Sequence, residues 1–190
     1  NINHIILKEL LNKKFKDKKL LKLLHEIIDS SDGIPIGNYL SQYFANFYLN
    51  YFDHYIKSLG VKYYFRYMDD MVVLSNSKDK LHELKREIDE YLSDNLNLRI
   101  KGNWQVFPTR ERGIDFLGYR FFGDHTLLRK KIAKKLKRRM KDLRNKEQLE
   151  VSDLSCFMSY YGWIKFADCH NLYKSHMEEI HKKLKAQDLL

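Results

Sequence analysis

Hydrophobic residues recur at helical spacing through the first thirty positions of the chain. One stripe comprises Ile5, Ile6, Leu10 and Leu11, and a second comprises Leu20, Leu21, Leu24, Ile27 and Ile28. Asp17 stands just before the second stripe, where its carboxylate can accept hydrogen bonds from the free N–H groups at a helix start. The pattern predicts two amphipathic helices that pack against a core.

A third, longer helix is predicted from about Ser41 to Leu59. Its stripe is rich in aromatic residues and comprises Phe44, Tyr48, Tyr51, Phe52 and Ile56, and Gly60 is predicted to end it. The segment before it, Gly33-Ile34-Pro35-Ile36-Gly37, has the glycines and proline of a loop. Such a loop can bind phosphate through free N–H groups at a helix start, although it is equally well explained as a plain turn.

The pattern changes to short strands between residues 63 and 74. Tyr63, Tyr64, Phe65 and Tyr67 come first, and Met71, Val72, Val73 and Leu74 follow. Aromatic and β-branched residues favour strands, so the segment predicts a β-hairpin with Met68, Asp69 and Asp70 at its turn.

The remainder predicts further helices and short strands. Ser77 is expected to cap a helix with the stripe Leu81, Leu84, Ile88, Tyr91 and Leu92, and Leu96, Leu98 and Ile100 alternate as a strand. Residues 113–120 contain Phe116, Leu117 and Tyr119, which suit a core strand. A helix with Leu128, Ile132, Leu136, Met140 and Leu143 is predicted next, and then helices from Ser152 to Tyr161 and from Cys169 to Lys185. The fold class that follows is α+β.

Charge points to a polyanionic partner. The 190 residues carry a formal net charge of +10, and aromatic residues are interleaved with the basic ones, which favours nucleic acid over a membrane surface. The helix after Gly123 is the most basic segment, with Lys130, Lys131, Lys134, Lys135, Arg138, Arg139 and Lys141. A solvated basic face is the simpler alternative, but few acidic residues offset these charges, which indicates nearby phosphates.

The two cysteines, Cys156 and Cys169, lack the paired spacing of a zinc site and are too few for a disulfide framework. Neither a signal peptide nor a membrane span is recognisable. These features predict a reducing, cytoplasmic location.

Asp69 and Asp70 are the main candidates for chemistry. Adjacent carboxylates repel each other, and a divalent cation such as Mg²⁺ would relieve that repulsion. Aspartate is also an ordinary turn residue, so a bare Asp-Asp pair would not by itself indicate a metal site. The apolar strands on either side favour the functional interpretation.

The tetrad Tyr67-Met68-Asp69-Asp70 resembles the catalytic signature of reverse transcriptases. The family's loop pattern is matched upstream by Gly33, Pro35, Gly37, Ser41, Ala45 and Asn46. The resemblance implies that Asp69 and Asp70 are catalytic and bind metal, with two Mg²⁺ ions in the intact enzyme. It also implies that the incoming nucleotide is bound by Pro35, Ile36, Gly37, Ser41, Gln42, Tyr67 and Met68.

The resemblance extends to the basic half of the chain. Residues 1–122 are similar to a partial polymerase palm and residues 123–190 to a three-helix thumb, whose basic helix would bind nucleic acid. A primer grip is implied at Phe116, Leu117, Gly118 and Tyr119, although these could equally be core strand residues. Lys101 is the nearest match to a lysine that protonates the leaving pyrophosphate, and a solvated lysine is the alternative.

The start of the chain resembles the end of the family's first catalytic block, whose aspartate would lie upstream of Asn1. The fragment is therefore expected to extend no primer by itself, and to self-associate through an open sheet edge. The implied partners are template RNA, primer or cDNA and dNTPs, with an accessory nucleic-acid-binding protein as a further candidate.

Ile36 and Gln42 depart from the family's usual Gln and Pro. With Gly37 and Asn38 they resemble the enzymes of diversity-generating retroelements, which copy a template RNA with errors at adenines. Group II intron maturases, retron reverse transcriptases and a non-catalytic RNA-binding relative are the alternatives.

Overall fold

The computed structural model describes residues 2–35 and 37–190 of the chain, which form a mixture of helices and small antiparallel sheets. The predicted α+β class is therefore confirmed. The chain divides into two compact units, residues 1–106 and 107–190, each with its own hydrophobic core. No helix in the described ranges combines the length and hydropathy that a membrane span requires.

The first unit consists of helices around one hairpin. In chain order its elements are α1 (His4–Lys14), α2 (Lys18–Asp29), α3 (Tyr39–Tyr48), α4 (Asn50–Ser58), β1 (Tyr63–Tyr67), β2 (Asp70–Leu74) and α5 (Lys78–Leu96). Asp17 and Ser77 cap α2 and α5 through their side chains, as predicted. The fully buried residues of this core include Leu7, Tyr48, Phe52 and Ile56.

The long third helix of the prediction is two helices, with a break at Leu49. The first of them starts at Tyr39, and the cap is Asn38, whose side chain accepts a hydrogen bond from the N–H of Leu40. Leu49 takes φ −92° and ψ 0°, outside helical geometry, and nothing in the local sequence marks that position.

The predicted strand from Leu96 to Ile100 was wrong. Leu96 is the last residue of α5, and Asn97 ends the helix in the left-handed conformation with φ 48°. Asparagine tolerates that conformation, and the N–H of Leu98 then bonds back to the carbonyl of Leu92. Hydrogen bonding at the helix end therefore replaces a sheet ladder here.

Strands β1 and β2 pair antiparallel, with Tyr67 opposite Asp70 and Tyr63 opposite Leu74. This register leaves Met68 and Asp69 as the two turn residues, so Asp70 is the first residue of β2 and not part of the turn as predicted. Tyr64 and Met71 pack against the core, whereas Tyr63 and Phe65 are about half exposed on the opposite face.

The second unit combines a three-stranded antiparallel sheet, in the order β3-β4-β5, with helices. Its elements are α6 (Thr109–Arg112), β3 (Ile114–Phe116), β4 (Tyr119–Phe121), β5 (Thr126–Leu128), α7 (Lys130–Arg144), α8 (Val151–Lys165), α9 (His170–His176) and α10 (Glu178–Ala186). Strand β5 was not predicted, and the last predicted helix is divided at Met177, so the sheet is followed by four helices.

The division between Val106 and Phe107 differs from the predicted boundary after residue 122. The hairpin of β3 and β4, which carries the predicted primer grip, belongs to the same compact unit as the helices that follow it. In this unit the phenol of Tyr119 donates a hydrogen bond of 3.1 Å to the carbonyl of Trp163 on α8. Side-chain contacts of this kind cannot be read from strand periodicity.

Candidate active site

The tip of the first hairpin presents both aspartates at the surface. Met68 occupies the first turn position with φ 53°. Two-residue hairpin turns require a positive φ at this position, although residues other than glycine disfavour it. The Asp69 side chain is 70% exposed, and Asp70 is also exposed. The carboxylates are therefore open to a cation and to substrate.

Lys101 reaches the tip from the segment after α5. Its Nζ donates a 2.6 Å hydrogen bond to Oδ2 of Asp69, which lowers the pKa of that carboxyl with help from a backbone N–H, against a small opposing effect of burial. The same contact raises the pKa of Lys101. Because both side chains are largely exposed, the pair adds little stability. Its effect is to lower the pKa of Asp69 and to place a positive charge beside that carboxylate.

A polar cluster lies under the same hairpin. Arg66 on β1 donates to both carboxylate oxygens of Asp53 on α4, through Nε at 2.7 Å and Nη2 at 2.5 Å. The phenol of Tyr64 donates to the same carboxylate at 2.7 Å. Nη1 of Arg66 donates to the carbonyl of Met68 in the turn at 2.9 Å and to the side chain of Asn46 on α3 at 3.1 Å.

The pKa directions in this cluster follow from the contacts. Burial by itself raises the pKa of Asp53, but hydrogen bonds from Arg66 and Tyr64 outweigh it, and the pKa lies below its usual value. Burial and then the Asp53 carboxylate raise the pKa of Tyr64, and the bond to Asp53 raises that of Arg66. The sequence analysis did not select Arg66 or Asp53. The sequence did contain a signal for this pair, because strand alternation places Arg66 on the inward face and a buried arginine requires an acidic partner.

Polar contacts within the predicted nucleotide-binding loop, and one from His4 on α1, hold its backbone. Gly33 and Gly37 have φ 96° and 89°, and the Ser41 hydroxyl donates to the carbonyl of Pro35. His4 Nε2 lies 2.9 Å from the carbonyl oxygen of Gly33. The side chain of Gln42 is exposed. Ile36 lies outside the described residues.

The predicted primer-grip residues form the tip of the second hairpin. Leu117 and Gly118 are its turn, with φ 50° and 86°, and Phe116 and Tyr119 flank it. A Cβ added to Gly118 would lie 2.6 Å from Trp163 Cζ3, so this position is packed against α8. Leu117 is 41% exposed. Of the four predicted residues, Leu117 is therefore the most accessible to a ligand, whereas Gly118 and Tyr119 are in contact with Trp163.

The basic residues of α7 predicted to bind nucleic acid are all exposed. They are Lys130, Lys131, Lys134, Lys135, Arg138, Arg139 and Lys141. The end of the helix also contributes to a groove of about 500 Å³ that is lined by Lys137, Arg138, Lys141, Arg144, Asn145 and His176.

Arg144 and His176 were not selected from the sequence. Arg144 donates to Glu179 at 2.9 Å and to the carbonyl of Ser175 at 3.0 Å, which fixes one wall of the groove. Burial and then the nearby Lys137 and Arg144 lower the pKa of His176. The continuation of the basic spacing from Lys137 through Lys141 would have pointed to Arg144.

A magnesium ion fits the donor chemistry at the first hairpin, because Asp69 and Asp70 offer carboxylate oxygens on an exposed turn. Within residues 2–35 and 37–190, however, no three or more His, Cys, Asp or Glu side chains cluster as a metal site. The aspartate pair can therefore be only part of a coordination shell. Water and nucleotide phosphates commonly supply the rest for Mg²⁺.

An exposed carboxylate pair on a hairpin, in a chain with a densely basic helix, is a combination expected of an enzyme that acts on nucleic acid. A family model described as reverse transcriptase (RNA-dependent DNA polymerase) matches residues 3–121, a span that contains the first hairpin and ends with β4. The chain belongs to this reverse transcriptase family. A comparison with curated proteins found no match.

Proposed function

We propose that the chain is the part of an RNA-templated DNA polymerase that carries the paired aspartates, and that it acts in nucleotidyl transfer by a two-metal mechanism. The observation that carries the proposal is the Asp69–Asp70 hairpin tip, exposed and within the span that matches the family. Asp69 serves as a metal ligand, and Asp70 supports the site electrostatically or as a partial ligand.

Bound Mg²⁺ supplies charge neutralisation and Lewis acidity at the reacting phosphate. The contact with Lys101 lowers the pKa of Asp69, and that lysine offers a positive charge and a proton near the site. The loop from Pro35 to Gln42, with Tyr67 and Met68, contacts the incoming nucleotide.

The metal role is tested by Asp69→Ala in the intact protein. The substitution removes a metal oxygen at an exposed turn, so Mg²⁺-dependent primer extension on a poly-rA template should be lost while the far-ultraviolet circular dichroism spectrum stays unchanged. Asp94→Ala, at another exposed position of the same unit, is the matched control and should extend primers normally. Extension by the Asp69 variant at a near wild-type rate would reject the metal role.

We propose that α7 binds the phosphates of the template and primer. Each neutralised phosphate contributes about −0.9 to the slope of log K against log salt for B-form DNA. Replacing Lys134, Lys135, Arg138 and Arg139 by Ala should therefore flatten the slope by up to about 3–4 units.

The matched control removes the same charge from four exposed lysines of the first unit, Lys13, Lys14, Lys16 and Lys18. The control variant should leave the salt slope close to that of the wild type. Equal slopes in both quadruple variants would mean that α7 is a solvated basic face and that only net charge matters.

For the subclass, we propose a diversity-generating retroelement type, on the ground of Ile36 and Gln42. A branched aliphatic side chain cannot donate the hydrogen bonds that glutamine offers, so Ile36→Gln in the intact protein should lower misincorporation opposite adenine. Identical error spectra in sequenced cDNA would favour the maturase or retron alternative. A protein that binds RNA but extends no primer would favour the non-catalytic relative.

Two partner proposals remain. The described sheet of the first unit consists of β1 and β2, and an unpaired strand edge invites pairing with another chain. Self-association of the 190-residue chain should then appear as a concentration-dependent rise in sedimentation coefficient.

An accessory nucleic-acid-binding protein is the other candidate partner, detected by co-purification that survives nuclease treatment.

A further inference from the structure

The guanidinium of Arg66 is largely withdrawn from water and bonded in several directions. Its side chain is 9% exposed, and it donates to Asp53 on α4, to Asn46 on α3 and to the carbonyl of Met68. Three segments that are separate in sequence therefore meet at one side chain. An arginine that served only charge balance would need no more than the carboxylate.

The bond to Met68 acts on the turn that carries the predicted metal ligand. Met68 has φ 53°, a conformation that a residue with a Cβ adopts only when the surroundings hold it. Its carbonyl belongs to the peptide group that joins Met68 to Asp69, so the bond from Nη1 of Arg66 fixes the plane from which the Asp69 side chain departs.

The bond to Asn46 connects the same side chain to the predicted nucleotide-binding loop. Asn46 lies on α3, and α3 begins beside that loop, where the Ser41 hydroxyl donates to the carbonyl of Pro35. The connection from the loop to the hairpin turn thus passes through one helix and one guanidinium.

We propose that Arg66 is a positioning residue, which sets the Met68–Asp69 turn relative to α3 and α4 and so aligns Asp69 with the nucleotide loop. This inference rests on the proposed polymerase function. In the described part of the chain, Arg66 makes no hydrogen bond or ion pair with the carboxylates of Asp69 and Asp70, and in this role it does not bind the substrate. It acts through the backbone of the turn.

The substitution that isolates this role is Arg66→Lys. Lysine keeps the charge and can still pair with Asp53, but its single ammonium group cannot reproduce the planar fork that bonds a carboxylate and two further acceptors at once. In steady-state primer extension with the intact protein, kcat should fall at least tenfold, while KM for dNTP and for primer–template changes less than threefold. Asn46→Ala, which leaves the Arg66–Asp53 pair in place, should cause a smaller fall in kcat.

The matched control is Arg129→Lys. Arg129 also pairs with an aspartate, Asp115, but the two side chains are 43% and 48% exposed and lie away from the predicted metal ligands in sequence. The control should retain wild-type kcat. An equal loss of activity in both arginine variants, or none in either, would overturn the proposal.

A second measurement does not depend on catalysis. In the 190-residue chain, hydrogen exchange at the amide of Asp70, which is paired with Tyr67 at the end of the hairpin, should accelerate at least tenfold in Arg66→Lys, whereas exchange in α5 stays at the wild-type rate. Unchanged exchange at the turn, or a uniform acceleration across the first unit, would refute the positioning role. Intact wild-type protein that extends no primer would refute the proposed function, and the exchange result in the 190-residue chain would still decide the inference.

Discussion

Asp53→Ala is expected to destabilise the first unit more than any single surface change, because it removes the acceptor shared by Arg66 and Tyr64. Three donor groups lose their partner together, at 2.5–2.7 Å in the wild type. The guanidinium stays in place with a side chain that is only 9% exposed. A charge left without its counter-ion in such a position is costly.

The size of the expected loss in unfolding free energy follows from how deeply the Arg66–Asp53 pair is buried. Breaking a fully buried pair costs about 3–5 kcal/mol. The Asp53 side chain is 26% exposed and Arg66 keeps its bonds to Met68 and Asn46, so water and the remaining acceptors offset part of that cost. We expect a loss of about 2–3 kcal/mol in the free energy of unfolding, after that discount for partial exposure.

Urea denaturation measures this loss in the unit concerned. Trp104 lies in the first unit and Trp163 in the second, so a Trp163→Phe background leaves fluorescence from Trp104 as the reporter. With an m-value of about 1.5 kcal/mol/M, the midpoint should fall by about 1.3–2 M. Tyr64→Phe, which removes one of the three donors, should cost about 1 kcal/mol.

The stability that Asp53 contributes depends on pH in a definite direction. The pKa of Asp53 is lowered in the folded protein, so its contribution is fully present above the usual aspartate pKa of about 3.9 and is lost as the pH falls through the lower folded value. The difference between wild type and Asp53→Ala should therefore be constant from pH 7 to 5 and should shrink below about pH 4.

Asp94→Ala, an exposed change in the same unit, is the control and should shift the urea midpoint little. A loss below about 0.5 kcal/mol in Asp53→Ala, the range of ordinary surface substitutions, would refute the reasoning. It would mean that solvent compensates Arg66 fully despite its burial.

Two further changes test the second unit through Trp163 fluorescence in a Trp104→Phe background. Gly118→Ala should cost about 2–4 kcal/mol, because the new Cβ would lie 2.6 Å from Trp163 at φ 86°; unchanged stability would show that α8 shifts freely. Asp153→Ala should cost about 1–3 kcal/mol, since this buried carboxylate accepts from Lys146 and from the N–H of Glu150. Burial alone would raise the pKa of Asp153, but the hydrogen bonds outweigh it and the pKa lies below its usual value. The stability difference between wild type and Asp153→Ala should therefore be constant above about pH 5 and should shrink as the pH falls below about 4, and a difference that does not shrink there would contradict the assignment.

Local sequence determined most of the elements of the first unit. Each of these elements depends on residues within a few positions of one another. They are the helices with hydrophobic stripes before residue 30, the helix caps Asp17 and Ser77, and the strands around the aspartates. Periodicity and capping are short-range effects, so the sequence contains the whole of their cause. The candidate catalytic hairpin could be found for the same reason.

Contacts between distant residues decided the rest. Arg66 finds Asp53 and Asn46 at separations of 13 and 20 residues, and Lys101 finds Asp69 at a separation of 32. A strand pattern shows that Arg66 faces inward but not which acceptors packing brings to it. In the same way, the sequence shows Tyr119 and Gly118 at a hairpin, but only the structure shows that both pack against Trp163, more than forty residues away. The elements follow from local patterns, whereas the network that holds the aspartate turn exists only once those elements have packed.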